Sequence, residues 1–227
     1  MNQTLELAIV LVPALVIAIV FHEVAHGLVA RMLGDPTAQE QRRLSLNPLR
    51  HVDPIGTILV PGMLALAKGP VFGWAKPVPV NKWRLRNPRF GMVAVAAAGP
   101  ATNLLLAAVG AVVLGLAYDP QAFDPANPSL LVQGLVAFLT INVFLAFFNL
   151  LPIPPFDGSH IVEGLMPPAW AEKYEKLRPF GMVLFFGLVA LTWFAPQWDV
   201  IGSTVGPPVE WILGHYLSVA DWVAGLG

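Results

Sequence analysis

The sequence predicts an all-α polytopic membrane protein, with about four transmembrane helices and a re-entrant or extended segment between the first two. Three observations carry that expectation. Of 227 residues, 56% are hydrophobic and 12% charged, about half the charge of an ordinary soluble domain, and the mean hydropathy is +0.66. Four stretches approach or exceed the roughly 20 apolar residues that cross a bilayer. Lysine and arginine are confined to a few loops.

The first stretch runs from Leu5 to Leu33. No Lys or Arg precedes it and no small-residue cleavage site follows, so it is expected to stay as a helix and not to be removed as a signal peptide. The segment after it, to Arg89, is punctuated by Pro36, Pro48, Pro54, Pro61, Pro70, Pro77, Pro79 and Pro88. Within it Ile55 to Ala67 is too short for a full crossing and suits a re-entrant or interfacial piece. VFGWAKPVPV, ending at Val80, reads as extended chain of edge-strand type, because proline cannot donate to a ladder. Phe90 to Ala117 and Leu130 to Leu151 supply the second and third spans, and Pro179 to Phe194 a short fourth. Val209 to Val223 is amphipathic, carries Trp211, His215 and Tyr216, and is expected along the interface. Counting it, or Ile55 to Ala67, as a crossing gives five or six. No repeat or separate soluble domain is visible. The chain reads as one membrane-embedded domain over 1–227, with a catalytic core at about 5–165 and further helices over 166–227.

Charge placement sets the expected orientation. Arg31, Arg42, Arg43, Arg50, Lys68, Lys76, Lys82, Arg84, Arg86 and Arg89 fall between the first two spans, and Lys173, Lys176 and Arg178 between the third and fourth. The loops at 118–129 and 195–208 hold none. Positive residues mark cytoplasmic loops, so the N-terminus is expected outside and the 31–89 segment in the cytoplasm of a cell (plasma or inner) membrane. A net charge of −1 gives no footprint for nucleic acid, and the absence of cysteine excludes disulfides and thiolate metal sites.

The chemistry sits in FHEVAHGLVARMLG. His22, Glu23 and His26 form H-E-x-x-H, in which residues four apart share a helix face and present two imidazoles to one zinc, while the glutamate stands beside them as general base. His26 and His22 lie about 7 and 13 Å inside the span from Arg31, where ionisable groups are costly and functional by default. A bland polar patch between helices would not need this spacing. A third ligand six residues on is excluded, because that position is Met32. Asp157, in FFNLLPIPPFDGSH, can be brought back by the proline-broken chain after the third span; an ordinary turn or cap aspartate is the other reading. Asn103 and Asn149 are candidates to donate to a substrate carbonyl or its oxyanion, with helix–helix hydrogen bonding as the alternative. Asn142 reads as packing, His160 as a solvent-facing loop residue or a partner of Asp157, His51 as weaker still, and His215 as interfacial.

With these residues in hand, the chain resembles the site-2 protease family of intramembrane zinc metalloproteases. HEVAH, NPLRHVDPIG, FGWAKPVPVN, AGPATN and NLLPIPPFDG carry the likeness over most of residues 18 to 165. The resemblance implies one zinc per chain held by His22, His26 and Asp157, with Glu23 as catalytic base and Asn149 near the substrate carbonyl. The family's G-x-x-x-N pattern falls on Gly99 and Asn103. It also implies transmembrane proteins as substrates, in a compact form without PDZ or nucleotide-sensing domains. A membrane metal-binding or transport protein, or an idle binder of membrane helices, is the alternative. The lack of internal duplication disfavours the first, and the intact Glu23 the second.

Overall fold

The computed structural model describes residues 3–66, 73–118 and 128–225. Ala67, Lys68, Pro70 and Phe72, and Asp119 and Asp124 of the 118–129 loop, lie outside them. Among the described residues there are α-helices and short helical turns but no β-strand.

Helix α1 is Gln3–Met32 and is followed by the single turn α2, Thr37–Glu40. A π-helical turn at Pro54–Leu59, capped by Asp53, leads into α3, Val60–Leu66. Helix α4 is Pro88–Ala117, started by Asn87, whose side chain accepts from Phe90 N–H, with Pro88 in the first turn, where its missing N–H costs nothing. Helix α5 is Leu130–Asn149, capped by Ser129. Then come α6 (Asp157–Leu165), α7 (Pro168–Glu175), α8 (Gly181–Phe194) and α9 (Val200–Ala224).

Ile9–Met32, Pro88–Ala117, Leu130–Asn149 and Pro168–Phe194 are long and apolar enough to cross a membrane. The first three are single helices packed against one another. At Gly110 of α4 an added Cβ would lie 2.9 Å from Leu139 and 3.0 Å from Phe138 of α5, so the close approach of these helices requires a glycine there. Ala18, Ala107, Ala111, Leu139 and Val143 are fully buried in this bundle, while Leu105, Val109, Leu116 and Leu131 face outward, as lipid-facing side chains do. From Pro54 to Leu66 the helical piece is about 20 Å long, short of the roughly 30 Å hydrocarbon core. Its Ile55, Ile58, Met63 and Leu66 are exposed.

One expectation is corrected. The segment around Val209 to Val223, expected along the interface, instead forms part of α9 and packs lengthwise against α4. Val205 joins a cluster with Phe156 and Phe185, Tyr216 O–H donates to Leu104 C=O at 3.0 Å, and a Cβ on Gly115 would meet Ala220 C=O at 2.4 Å. Small residues at Gly115 and Ala220 permit a contact that the aromatic and histidine content concealed.

The end of α1 is tied to the loop before α4 through Asp35, which is fully buried. It accepts from Thr37 N–H at 3.0 Å, from Thr37 Oγ1 and from Asn81 N–H at 2.6 Å. Burial alone would raise its carboxyl pKa, but these hydrogen bonds and the nearby Arg84 hold it below the ordinary 3.8. A depressed carboxyl stabilises the fold above its unfolded pKa and loses that contribution as pH falls through the folded one. Asp35→Ala is expected to lower stability by about 3 kcal/mol near neutral pH and to flatten the acid limb of the unfolding profile, as read by thermal melts from pH 7 down to pH 3.

Candidate metal centre

His22 and His26 leave the same face of α1, with ring centroids 4.6 Å apart and planes at 85°. Each ring is oriented by α4. His26 Nδ1 donates to Val95 C=O at 2.7 Å, and His22 Nδ1 lies 2.6 Å from Asn103 Oδ1. Asn103 Nδ2 in turn donates to Ala18 C=O at 3.1 Å and to Asn142 Oδ1 at 2.9 Å, and Asn142 Nδ2 donates to Phe138 C=O. Both asparagines are fully buried. The expectation that Asn103 reaches a substrate carbonyl is corrected on this geometry: both ends of its amide are engaged, and it orients His22. Asn142 is more than packing, since it completes that chain of hydrogen bonds.

Asp157 is delivered by the irregular chain after α5. Pro152, Pro154 and Pro155 prevent the helix from continuing, and α6 starts at Asp157 itself. Gly158 allows the turn to close, since a Cβ there would sit 2.1 Å from Leu150 C=O. Asp157 Oδ2 lies 3.0 Å from His22 Nε2 and 3.3 Å from His26 Nε2. One donor atom from each of the three falls within 4.8 Å of the others.

The donor chemistry fits a divalent metal. Val95 C=O and Asn103 Oδ1 can only accept, so in the neutral rings the proton sits on Nδ1 and Nε2 presents a lone pair. Two lone pairs and a carboxylate oxygen then converge with no proton between them, an arrangement that a cation resolves. Three protein ligands with one face open to a cavity is the pattern of a catalytic rather than a structural zinc site. Gly99 keeps the space clear, because a Cβ on it would lie 2.5 Å from both Nε2 atoms.

A cavity of about 600 Å³ opens beside these atoms, lined among others by Glu23, Val78, Asn149, His160 and Arg178. Glu23 Oε2 accepts from Val78 N–H at 2.7 Å. The chain bearing Val78 is held in place by alternate backbone groups: Trp74 N–H donates to Gly56 C=O and Lys76 N–H to His51 C=O, while Arg43 donates to Lys76 C=O at 2.7 Å. Asn149 Nδ2 donates to Leu145 C=O at 2.9 Å, leaving its second amide hydrogen for the cavity. His51 is buried and donates to Ser45 C=O, a structural role. His215 bonds Trp211 C=O away from the centre. His160, read from sequence as solvent-facing or as a partner of Asp157, lines the cavity instead. Its signal was its place three residues after Asp157, on the same helical face.

Comparison with known proteins agrees with this chemistry. The profile of peptidase family M50 matches residues 121–193, the stretch that contains Asn142, Asn149 and Asp157. The chain is 41% identical over 180 residues to the candidate zinc metalloprotease YwhC of Bacillus subtilis, covering 78% of each protein. It is 30% identical over 182 residues to Rip2 of Mycobacterium tuberculosis (78% of this chain, 67% of that one), and 35% identical over 154 residues to MJ0611 of Methanocaldococcus jannaschii (67% and 68%). Both of these carry the same kind of name. No solved structure gives a significant match. With a His–His–Asp group in a chain that has four stretches long and apolar enough to cross a membrane, and with that degree of likeness to YwhC, the chain belongs to peptidase family M50, the site-2 proteases, and is a zinc metalloprotease.

Proposed function

We propose that this metalloprotease hydrolyses peptide bonds within transmembrane segments of other membrane proteins, using one zinc ion per chain held by His22, His26 and Asp157. The observation that carries the proposal is depth. His22 lies ten residues before the end of α1, about 15 Å along the helix, and the α4 groups that orient the histidines lie well inside the second span. A soluble protein's peptide would not reach such a centre. The positive loops support a cell-membrane protein with its N-terminus outside and the 31–89 segment cytoplasmic, so the cavity would open toward the cytoplasmic side.

Zinc bound at this group supplies a Lewis acid for the scissile carbonyl and makes water a stronger acid. Glu23 takes the proton from the attacking water and returns it to the leaving nitrogen. Val78 N–H holds Glu23 Oε2 and leaves Oε1 for that proton. Asn149 offers an amide hydrogen to the carbonyl oxygen. A helical substrate must first unwind, since its carbonyls are already bonded and shielded. The chain at 73–80 offers a place for the unwound peptide. Its Trp74, Lys76 and Val78 N–H groups point inward, so Ala75 N–H and C=O remain for strand-like pairing. Ala75→Pro removes that donor and is expected to lower kcat/KM about tenfold, one hydrogen bond's worth; an unchanged value would exclude the pairing.

Glu23→Gln tests the chemistry. It is expected to retain zinc and to lose cleavage of a transmembrane peptide by about 10²- to 10⁴-fold, the range of general-base catalysis. Cleavage at the wild-type rate would overturn the assignment.

A further inference from the structure

The cavity holds a hydrogen-bond donor that the mechanism above does not use. His160 sits on α6 three residues after Asp157, so the two side chains share a face of that helix, and both line the cavity with His22, Glu23 and His26. Its Nδ1 lies 2.9 Å from Arg178 Nη2. A guanidinium has only donors, so Nδ1 must be the acceptor. The ring proton is therefore on Nε2, and the ring is neutral, because a second cation against Arg178 would be repelled. The same Nη2 group donates to Glu163, which fixes the guanidinium, and with it the tautomer, from behind. Burial first, and the Arg178 charge second, also depress the His160 pKa. Nε2–H has no protein partner among the described residues.

We infer that His160 is a further catalytic residue, a neutral Nε2–H donor aimed at the oxygen of the scissile carbonyl as negative charge develops on it, with Arg178 and Glu163 as positioning residues that lock its tautomer. The inference rests on the protease reading above. It fills the gap left by Asn103, whose amide is consumed in orienting His22. A donor that meets charge only as the tetrahedral species forms stabilises the transition state more than the bound substrate, and losing one such donor typically costs about 10²- to 10³-fold in kcat. Because the imidazole is already neutral and its acceptor nitrogen satisfied, it needs no reorganisation to donate.

The test uses the full chain, loaded with zinc in liposomes, and a synthetic transmembrane peptide with a Gly–Pro interruption as probe. His160→Ala is expected to lower kcat about 100-fold or more, with KM changed less than about threefold and zinc content equal to wild type. His160→Gln, which can place an amide N–H near the Nε2 position, is expected to recover part of the loss. Independently of turnover, nitrogen-15 spectra of histidine-labelled protein are expected to show His160 protonated on Nε2 alone at pH 7, and Arg178→Leu to abolish that single tautomer. A proton on Nδ1, wild-type kcat in His160→Ala, or loss of zinc in step with activity would each overturn the inference. Glu23→Gln run in parallel separates the two readings: if it is inactive while His160→Ala is fully active, only the role of His160 falls. If Glu23→Gln is fully active, the protease mechanism falls with it.

Discussion

Gly99→Ala is expected to remove zinc and activity together, although it adds only one methyl group to a helix. The new Cβ would stand 2.5 Å from His22 Cε1 and from the Nε2 atoms of both His22 and His26. Neither ring can retreat freely. His22 is held at Nδ1 by Asn103, which is itself bonded to α1 and α5, and His26 by the Val95 carbonyl one turn earlier in α4. Moving α4 off α1 would break the His22–Asn103 and His26–Val95 hydrogen bonds that tie the two helices together. The substitution also favours helix by up to about 1 kcal/mol, so the variant should fold with undiminished helicity. Zinc affinity is expected to fall by more than about 100-fold, beyond the loss seen when only the outer partners of a ligand are changed. Metal analysis after dialysis, with circular dichroism as the folding control, reads the result. Retained zinc with full activity would mean that the histidines do not point at Gly99.

Asp157→Asn is expected to have a comparable effect for a different reason. The substitution keeps shape and removes charge. An amide is a poor zinc ligand beside two neutral imidazoles, and the ligand set then lacks its one negative charge. Activity is expected to fall below that of Glu23→Gln, because the general-base variant keeps its metal and the Asp157→Asn variant does not. The loss should appear as zinc content near zero after dialysis, with affinity lower by more than about 100-fold. If zinc stays bound and only the rate changes, Asp157 is not a ligand.

How much of this was legible in the sequence follows the range of each interaction. H-E-x-x-H is local, confined to one face of one helix, and could be read directly. The spans could be read from apolar runs, and α1, α4 and α5 begin and end within a few residues of the expected positions. Asp157 became readable only through its proline-broken context and the family likeness, because it meets His22 across 135 residues of chain. The chain of hydrogen bonds from His22 through Asn103 to Asn142 joins three helices, and nothing in the spacing of single asparagines separates it from packing. His160 was misread for a related reason: FDGSH looks like a polar loop, but its Asp begins a helix, and helical periodicity carries His160 back to the cavity. The packing of α9 was hidden because an amphipathic face with Trp, Tyr and His suits an interface as well as a helix partner, and the close approach at Gly115 and Ala220 depends on small residues that give no signal of their own.

Hydrolysis inside the membrane is tested most directly by mapping the cut. The zinc-loaded chain is reconstituted in liposomes with a transmembrane peptide carrying soluble flanks, and the product ends are read by mass spectrometry. Ends within the apolar stretch, absent with zinc-replete Glu23→Gln, are the expected result. Ends confined to the soluble flanks, or the same products from Glu23→Gln, would contradict cleavage of a membrane-embedded bond at His22, His26 and Asp157.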